Sequence, residues 1–152
     1  MKEVFKYLRE KKLTISFAES ITGGRLSSEI TKNNGSSEVF KGSVVAYSKE
    51  LKVKLLNVSL ETINKYTMVS EEVNIEMIEG LKTLVNTDIY ISVTGSAGPD
   101  LEESTNEFMA YVTISYNNEY YTGMVMFDTN DRLANINDTV QLVNDMIFNY
   151  VD

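Results

Sequence analysis

Three short segments of the 152-residue chain combine small polar side chains with glycine, the residue types that suit anion binding or acyl transfer. They are residues 19–24 (ESITGG), residues 34–37 (NGSS) and residues 94–99 (TGSAGP). Glycine lets the backbone approach a ligand closely, and a serine or threonine hydroxyl serves as a nucleophile or as a hydrogen-bonding group. The same residue types also cap helices and form turns, so each segment has a structural interpretation beside the chemical one.

Two missing residue types restrict what these segments can do. The chain has no cysteine, which excludes disulfides, thiol nucleophiles and thiolate metal sites. It also has no histidine, which excludes Ser-His-Asp triads, acid–base steps by histidine and histidine-ligated metals. Hydrolysis must therefore use serine, threonine, lysine, tyrosine, a carboxylate or backbone groups, and we expect neither a metal nor another cofactor.

A serine–lysine pair is one way to meet that restriction. Ser37 precedes Tyr47 by ten residues and Lys52 by fifteen. A serine hydroxyl needs a base to remove its proton, and a desolvated lysine is a natural substitute for histidine because burial favours the neutral amine. Tyr47 would orient these groups or relay the proton. On spacing alone, a simpler interpretation competes, in which Ser36 or Ser37 stabilises a turn and Lys52 is a solvated charge on a helix.

The other two segments have the form of ligand-binding loops at the ends of predicted strands. The first offers a predicted helix N-terminus with free N–H groups, which suits an anion. The third has two glycines after a strand, which suits a backbone cradle for a phosphate or an oxyanion. The ligand-binding candidates are Ser20, Thr22, Gly23 and Gly24 of the first segment, Ser36 of the second, and Thr94, Gly95 and Gly98 of the third.

Hydrophobic periodicity arranges these segments in an alternating α/β order. Helices are predicted at 2–12, from about 22 to 33, at 48–56, at 70–86 and from 133 to 150. Strands are predicted from 13 to the Glu19-Ser20 pair and at 42–47, 88–94, 107–116 and 119–127, the last two forming a hairpin around Asn117 and Asn118. This order predicts one domain over residues 1–152, a mixed sheet covered by helices, with sites where strands end in loops.

Charge and hydropathy exclude several partners. The formal net charge is −8, which disfavours sequence-independent binding to nucleic acid. Residues 1–82 hold 13 basic and 11 acidic side chains, whereas residues 83–152 hold 11 acidic side chains and one cation, Arg132. No apolar run reaches the roughly 20 residues that span a bilayer, and the N-terminus lacks a signal-peptide core. We therefore expect a cytoplasmic protein with no membrane partner.

Several segments in register resemble the CinA C-terminal domain family, which includes stand-alone nicotinamide-nucleotide amidases. The matching segments are AESITGG at 18–24, NGSSEVFKGSVVAYSKELK at 34–52, VS at 69–70 before a helix, and VTGSAGP at 93–99. The resemblance covers nearly the whole chain. It implies a three-layer α/β/α sandwich that hydrolyses the carboxamide of nicotinamide mononucleotide to nicotinate mononucleotide and ammonia. It also implies a small-molecule nucleotide substrate and a homo-oligomer, a dimer or trimer.

The resemblance assigns roles to individual residues. It implies that Ser37 is the nucleophile, that Lys52 is its base and that Tyr47 assists. It further implies that Thr94 and Arg132 help to hold the substrate, and the fork-shaped guanidinium of an arginine suits a phosphate.

Other positions depart from the family pattern. Ile21 stands where the family has cysteine, YTMVS at 66–70 replaces a segment of the HGAVS type, and Asn135 lies where a later arginine is usual. Residues 100–112 carry Glu102, Glu103 and Glu107 where glycines and a cation are usual, and carboxylates there would repel a phosphate. Two alternatives therefore stay open: a non-catalytic nucleotide- or protein-binding relative, and an amidase for a different carboxamide.

Overall fold

The computed structural model describes residues 1–100 and 107–152. Glu102 and Glu103, two of the carboxylates expected to repel a phosphate, lie outside the described residues. Its elements, in chain order, are α1 (Lys2–Lys11), β1 (Ile15–Glu19), α2 (Arg25–Thr31), β2 (Phe40–Val45), α3 (Lys49–Leu56), α4 (Leu60–Tyr66), α5 (Glu71–Leu84), β3 (Ile89–Ser96), β4 (Met109–Tyr116), β5 (Glu119–Met126) and α6 (Arg132–Tyr150). None of the helices in these ranges is long and apolar enough to cross a membrane.

The five strands form one mixed sheet in the order β2-β1-β3-β4-β5. Strands β2, β1 and β3 are parallel, whereas β4 and β5 run antiparallel to their neighbours. In this register Glu19, the last residue of β1, lies opposite Val45 of β2 and Val93 of β3. The carboxyl ends of the three parallel strands therefore meet at one edge, where open α/β sheets bind their ligands.

Side chains alternate along each strand and build a separate core on each face of the sheet. Ile15 and Phe17 of β1 pack with α1, α2 and α6, whereas Ala18 packs with α3, α4 and α5. Phe17 is fully buried, and full burial of such a side chain stabilises the fold by roughly 1.5–3 kcal/mol. Helices on both faces of a mixed sheet confirm the expected three-layer α/β/α sandwich.

Local signals explain several element boundaries. The Ser70 side chain accepts a hydrogen bond from Val73 N at the start of α5, as expected of a helix N-cap. Asn117 and Asn118 have φ angles of 52° and 63°, the left-handed conformations that a two-residue hairpin turn requires. The predicted hairpin and the helix predicted at 70–86 are therefore confirmed.

The structure differs from the predicted pattern at several positions. Helix α4 and a 3-10 turn at Ser36–Glu38 were not predicted, since both are short and follow loop-type sequence. Leu84 and Leu133 lie on the apolar stripes of the helices predicted at 70–86 and 133–150, which suggest core positions, but 59% and 58% of their surface is exposed. Leu84 is the last residue of α5, and Leu133 is the second residue of α6.

Candidate active site

Ser20 lies at the edge where the parallel strands end, directly after β1. Its backbone N–H donates to the Val93 carbonyl of β3 at 3.1 Å. The carbonyl of the preceding residue, Glu19, accepts from Ala46 N beyond β2 at 2.8 Å. Because alternate residues of β1 face opposite sides of the sheet, Ser20 shares the side of Ala18, which carries α3 and α5.

Lys52 of α3 points its amine at Ser20. Lys52 Nζ donates to Ser20 Oγ at 2.8 Å and to the Ala46 carbonyl at 3.0 Å. Both side chains are buried, with 2% of Lys52 and 6% of Ser20 exposed. A lysine so deeply buried is rare in proteins. A hydroxyl and an amine within hydrogen-bond distance, away from bulk water, form the geometry of a nucleophile with its base.

Thr94 of β3 borders the same small cleft as Ser20, Tyr47 and Lys52. The threonine is 1% exposed, and its Oγ1 has no hydrogen-bond partner among the described residues. A buried hydroxyl without a partner carries an energetic penalty, and a hydrogen bond to a bound ligand is the explanation that fits its place at the cleft. The cleft thus offers one unsatisfied hydroxyl beside the Ser20–Lys52 pair.

Gly95 keeps the floor of the cleft close to the neighbouring strand. A Cβ at this position would lie 2.6 Å from the Ile21 side chain and 2.6 Å from the Met109 carbonyl oxygen. Ile21, which replaces the family's cysteine, is itself buried in the core. The glycine is therefore required by the close approach of β1, β3 and β4 at this point.

Arg132 connects the two loops that flank the cleft. Its Nη2 donates to Tyr47 Oη at 2.6 Å, and its Nη1 donates to the Gly98 carbonyl at 2.7 Å. Tyr47 follows β2 and Gly98 follows β3, so the guanidinium bridges the loops that follow these two strands. The isolated cation of the sequence is therefore placed beside the predicted tyrosine, with 55% of Tyr47 exposed to solvent.

Asn135, one turn further along α6, fixes the same loop and was not among the predicted site residues. Its Nδ2 donates to the Ala97 carbonyl at 3.0 Å and to the Thr129 carbonyl at 2.8 Å. The side chain is fully buried. The sequence held one signal that could have indicated Asn135: it follows Arg132 by three residues, and residues so spaced lie on the same face of a helix.

The loop at residues 19–24 binds a negatively charged group, and that group is the chain's own Glu19 carboxylate. The buried Glu19 carboxylate accepts hydrogen bonds from Thr22 Oγ1 at 2.7 Å and from Gly24 N and Leu26 N at 3.0 Å. Gly23 and Gly24 have φ angles of 56° and 96°, which suit glycine and close the turn. The backbone N–H groups that the sequence offered to a ligand anion are therefore bonded to Glu19, as in the structural interpretation of this segment.

Ser36 and Ser37 lie at the other edge of the sheet. They form the 3-10 turn before β2, whose first residue, Phe40, pairs with Ile15 at the amino end of β1. The length of β2, about 20 Å at 3.3 Å per residue, separates them from the edge that carries Ser20. Ser36 Oγ donates to the Thr31 carbonyl at 3.5 Å. The expected Ser37–Lys52 pair is thus not formed, and Ser20 stands beside the lysine instead.

Known proteins are similar to this chain in sequence and in fold. Residues 1–151 match the family model of the CinA C-terminal domain. A CinA-like protein of Petrotoga mobilis is 52% identical over 98 residues, which are 64% of this chain and 24% of that protein. A CinA-like protein of Prochlorococcus marinus strain MIT 9515 is 42% identical over 122 residues, 80% of this chain and 28% of that protein. The matched segments are thus about a quarter of those relatives' length.

A solved structure shows the same fold over almost the whole chain. The crystal structure of the competence damage-inducible protein A from Klebsiella pneumoniae superposes with a TM-score of 0.91 at 26% identity. The superposition covers 99% of this chain and 93% of that one. Together with the match over residues 1–151, this shows that the chain belongs to the CinA C-terminal domain family.

Proposed function

We propose that this chain is a serine–lysine amidohydrolase that converts nicotinamide mononucleotide to nicotinate mononucleotide and ammonia. The observation that carries the proposal is the 2.8 Å contact between Lys52 Nζ and Ser20 Oγ, two buried groups at the ligand-binding edge of the sheet. The choice of substrate rests on the family resemblance, and the choice of reaction type rests on the geometry of the two side chains. Amide hydrolysis through an acyl-enzyme needs a nucleophile, a base and donors for the developing oxyanion.

In the first half of the reaction, Ser20 Oγ attacks the carboxamide carbon and its proton passes to the unprotonated Lys52 Nζ. The C–N bond then breaks, and the same proton moves from Nζ to the leaving nitrogen, which departs as ammonia. In the second half, Nζ takes a proton from water as the water oxygen attacks the ester. Collapse returns the proton to Ser20 and releases the carboxylic acid, which ionises to the carboxylate and gives its proton to solvent, so that Lys52 acts as base and acid in turn.

Thr94 is the residue that we assign to the carboxamide oxygen. Its buried Oγ1 lacks a partner among the described residues and borders the cleft that holds Ser20. A hydroxyl already in place strengthens its hydrogen bond as charge develops on the oxygen, without reorganising in the transition state.

Arg132 is the group that we assign to the substrate phosphate. A guanidinium pairs well with two phosphate oxygens, and this one already lies between the loops that flank the cleft. We propose that the phosphate takes the place of the Tyr47 hydroxyl on Nη2. Tyr47 is then released to contact the reacting groups, which fits the assisting role implied by the family.

Ammonia release from nicotinamide mononucleotide by the purified chain tests the proposal, with the nucleotide product identified by chromatography. We expect turnover by the wild type, and we expect that Lys52→Met, which removes the amine, loses it. Full activity in Lys52→Met would remove lysine as the base. A wild type that binds the nucleotide without releasing ammonia would favour the non-catalytic alternative.

An amidase for a less negatively charged carboxamide is the second candidate, and the charge around Arg132 favours it. Asp131 caps α6 directly before the arginine, and Asp128 lies in the loop that joins β5 to α6. Nearby carboxylates weaken the binding of a dianionic phosphate. Turnover of nicotinamide riboside exceeding that of the mononucleotide would select this candidate.

The homo-oligomer and the cytoplasmic location stay predictions. Size-exclusion chromatography with light scattering tests the prediction of a homo-oligomer.

A further inference from the structure

Glu19 is fully buried directly before the candidate nucleophile, and its side chain lies on the opposite face of the sheet. Besides the three bonds from Thr22, Gly24 and Leu26, the carboxylate accepts from Ser27 N at 3.0 Å and from Ser27 Oγ at 2.5 Å. Three backbone N–H groups and two hydroxyls thus converge on one side chain. This single carboxylate holds the N-terminus of α2 against the end of β1.

The turn that these bonds anchor is the one that displays Ser20. Gly23 N donates to the Ser20 carbonyl at 3.0 Å, so the turn closes on the serine itself. Ser20 is therefore held on one side by the backbone bond to Val93 and on the other by a turn that Glu19 ties down. Its Oγ meets Lys52 Nζ only while both sides stay in place.

We propose that Glu19 is a positioning residue for the nucleophile: it fixes the 20–24 turn so that Ser20 Oγ stays within reach of Lys52. This inference rests on the proposed function, because it assigns Glu19 a part in the same reaction. Glu19 contacts no reacting atom in this scheme and acts through the backbone of Ser20. Replacing the carboxylate by an amide would present N–H groups to some of the five donors and loosen the turn.

A second glutamate provides a matched control. Glu76 accepts hydrogen bonds from Ser59 N at 2.7 Å and from the Thr62 hydroxyl at the start of α4. It therefore anchors a helix N-terminus as Glu19 does, but α4 does not carry the nucleophile. Glu19→Gln and Glu76→Gln remove the same kind of anchor, and only the first should alter Ser20.

The experiment compares the two variants and the wild type by steady-state kinetics and by covalent labelling of Ser20 with phenylmethylsulfonyl fluoride, followed by mass spectrometry. In Glu19→Gln we expect kcat and the labelling rate to fall about 10²-fold, as a displacement of about 1 Å commonly produces, with little change in KM. In Glu76→Gln both rates should stay near those of the wild type. Thermal unfolding, read by circular dichroism, confirms that each variant is folded.

Each outcome bears on a different part of the account. A folded Glu19→Gln that turns over and labels like the wild type overturns the role of Glu19 and leaves the proposed function intact. An equal loss in both variants overturns it as well, since it would reflect general loosening of the fold. A wild type that neither labels nor releases ammonia refutes the proposed function and the positioning role with it. If Glu19→Gln does not fold, Ser27→Ala removes one donor, and an unchanged labelling rate there overturns the proposal.

Discussion

Replacement of Thr94 by valine should make the protein more stable and less active at the same time. Valine has nearly the shape of threonine but lacks the hydroxyl, which is buried here without a partner among the described residues. An unsatisfied buried polar group costs about 1–3 kcal/mol. Its removal should therefore raise the free energy of unfolding by about 1 kcal/mol, which corresponds to roughly 2–4 °C in Tm for a domain of this size.

The activity of Thr94→Val should change in the opposite direction. If Oγ1 donates to the carboxamide oxygen, its loss should lower kcat by about 10²-fold, as the removal of one oxyanion donor does elsewhere. Chemical denaturation measures the stability, and ammonia release measures the rate. Because the two effects have opposite signs, loss of folded protein cannot account for a loss of activity.

Thr113→Val on the neighbouring strand β4 is the matched control. Thr113 is also fully buried, but its hydroxyl pairs with that of Thr122 at 3.0 Å. The valine there should lose about 1 kcal/mol of stability and leave the rate unchanged. A Thr94→Val variant as destabilised as Thr113→Val, or one with the full wild-type rate, would refute the assignment of Thr94 to the substrate.

Three further predictions follow from the site and from the surface. Lys52→Arg should lower kcat by at least about 10²-fold between pH 7 and pH 10, because a guanidinium stays protonated and is no base; recovery of the rate at high pH would contradict this. Arg132→Gln should raise KM for the mononucleotide about tenfold more than KM for nicotinamide riboside, because loss of the contacts to Tyr47 and Gly98 affects both substrates whereas loss of a phosphate contact affects only the first. Equal changes in KM for both substrates would contradict the phosphate contact. On the surface, hydrogen bonds from Tyr120 and Lys82 lower the pKa of Glu79. Because the pKa is lower in the folded state, this group stabilises the protein above the unfolded pKa and loses that contribution as the pH falls through the folded pKa. Its exposure limits the effect to a few tenths of a kcal/mol. Urea unfolding should therefore show a small wild-type advantage over Glu79→Gln at pH 7, which shrinks as the pH falls below the unfolded pKa of about 4.3 and is lost below the lowered folded pKa. An advantage that does not change with pH would contradict the pairing.

The sequence predicted the layers of the fold well because apolar periodicity and caps act locally. The Ser70 cap and the Asn117-Asn118 turn each appear in the structure where their local chemistry placed them. Helix α4 was not predicted because its seven residues hold one buried apolar side chain, Ile63, and so show no apolar periodicity. Part of its N-terminal capping comes from Glu76, fourteen residues after Thr62 in the chain. Such long-range capping has no local pattern.

The sequence indicated most residues of the candidate site, but not which serine pairs with Lys52. Lys52, Tyr47, Thr94 and Arg132 all lie at the expected edge, whereas both the spacing to Lys52 and the family resemblance led to Ser37. The topology distinguishes the two serines: Ser20 follows the carboxyl end of β1, and Ser37 precedes the amino end of β2. The rule that α/β sheets bind ligands at carboxyl ends favours Ser20, and the alternation along β1 turns it toward α3.

The most direct test of the account exchanges the two serines for alanine, one at a time. Ser20→Ala and Ser37→Ala remove the same hydroxyl from opposite edges of the sheet, and ammonia release from nicotinamide mononucleotide is measured for both beside the wild type. The account predicts that Ser20→Ala is inactive, while Ser37→Ala keeps the wild-type rate. A Ser20→Ala variant that stays active, or loss of activity on replacing Ser37, would contradict the assignment of Ser20 as the nucleophile.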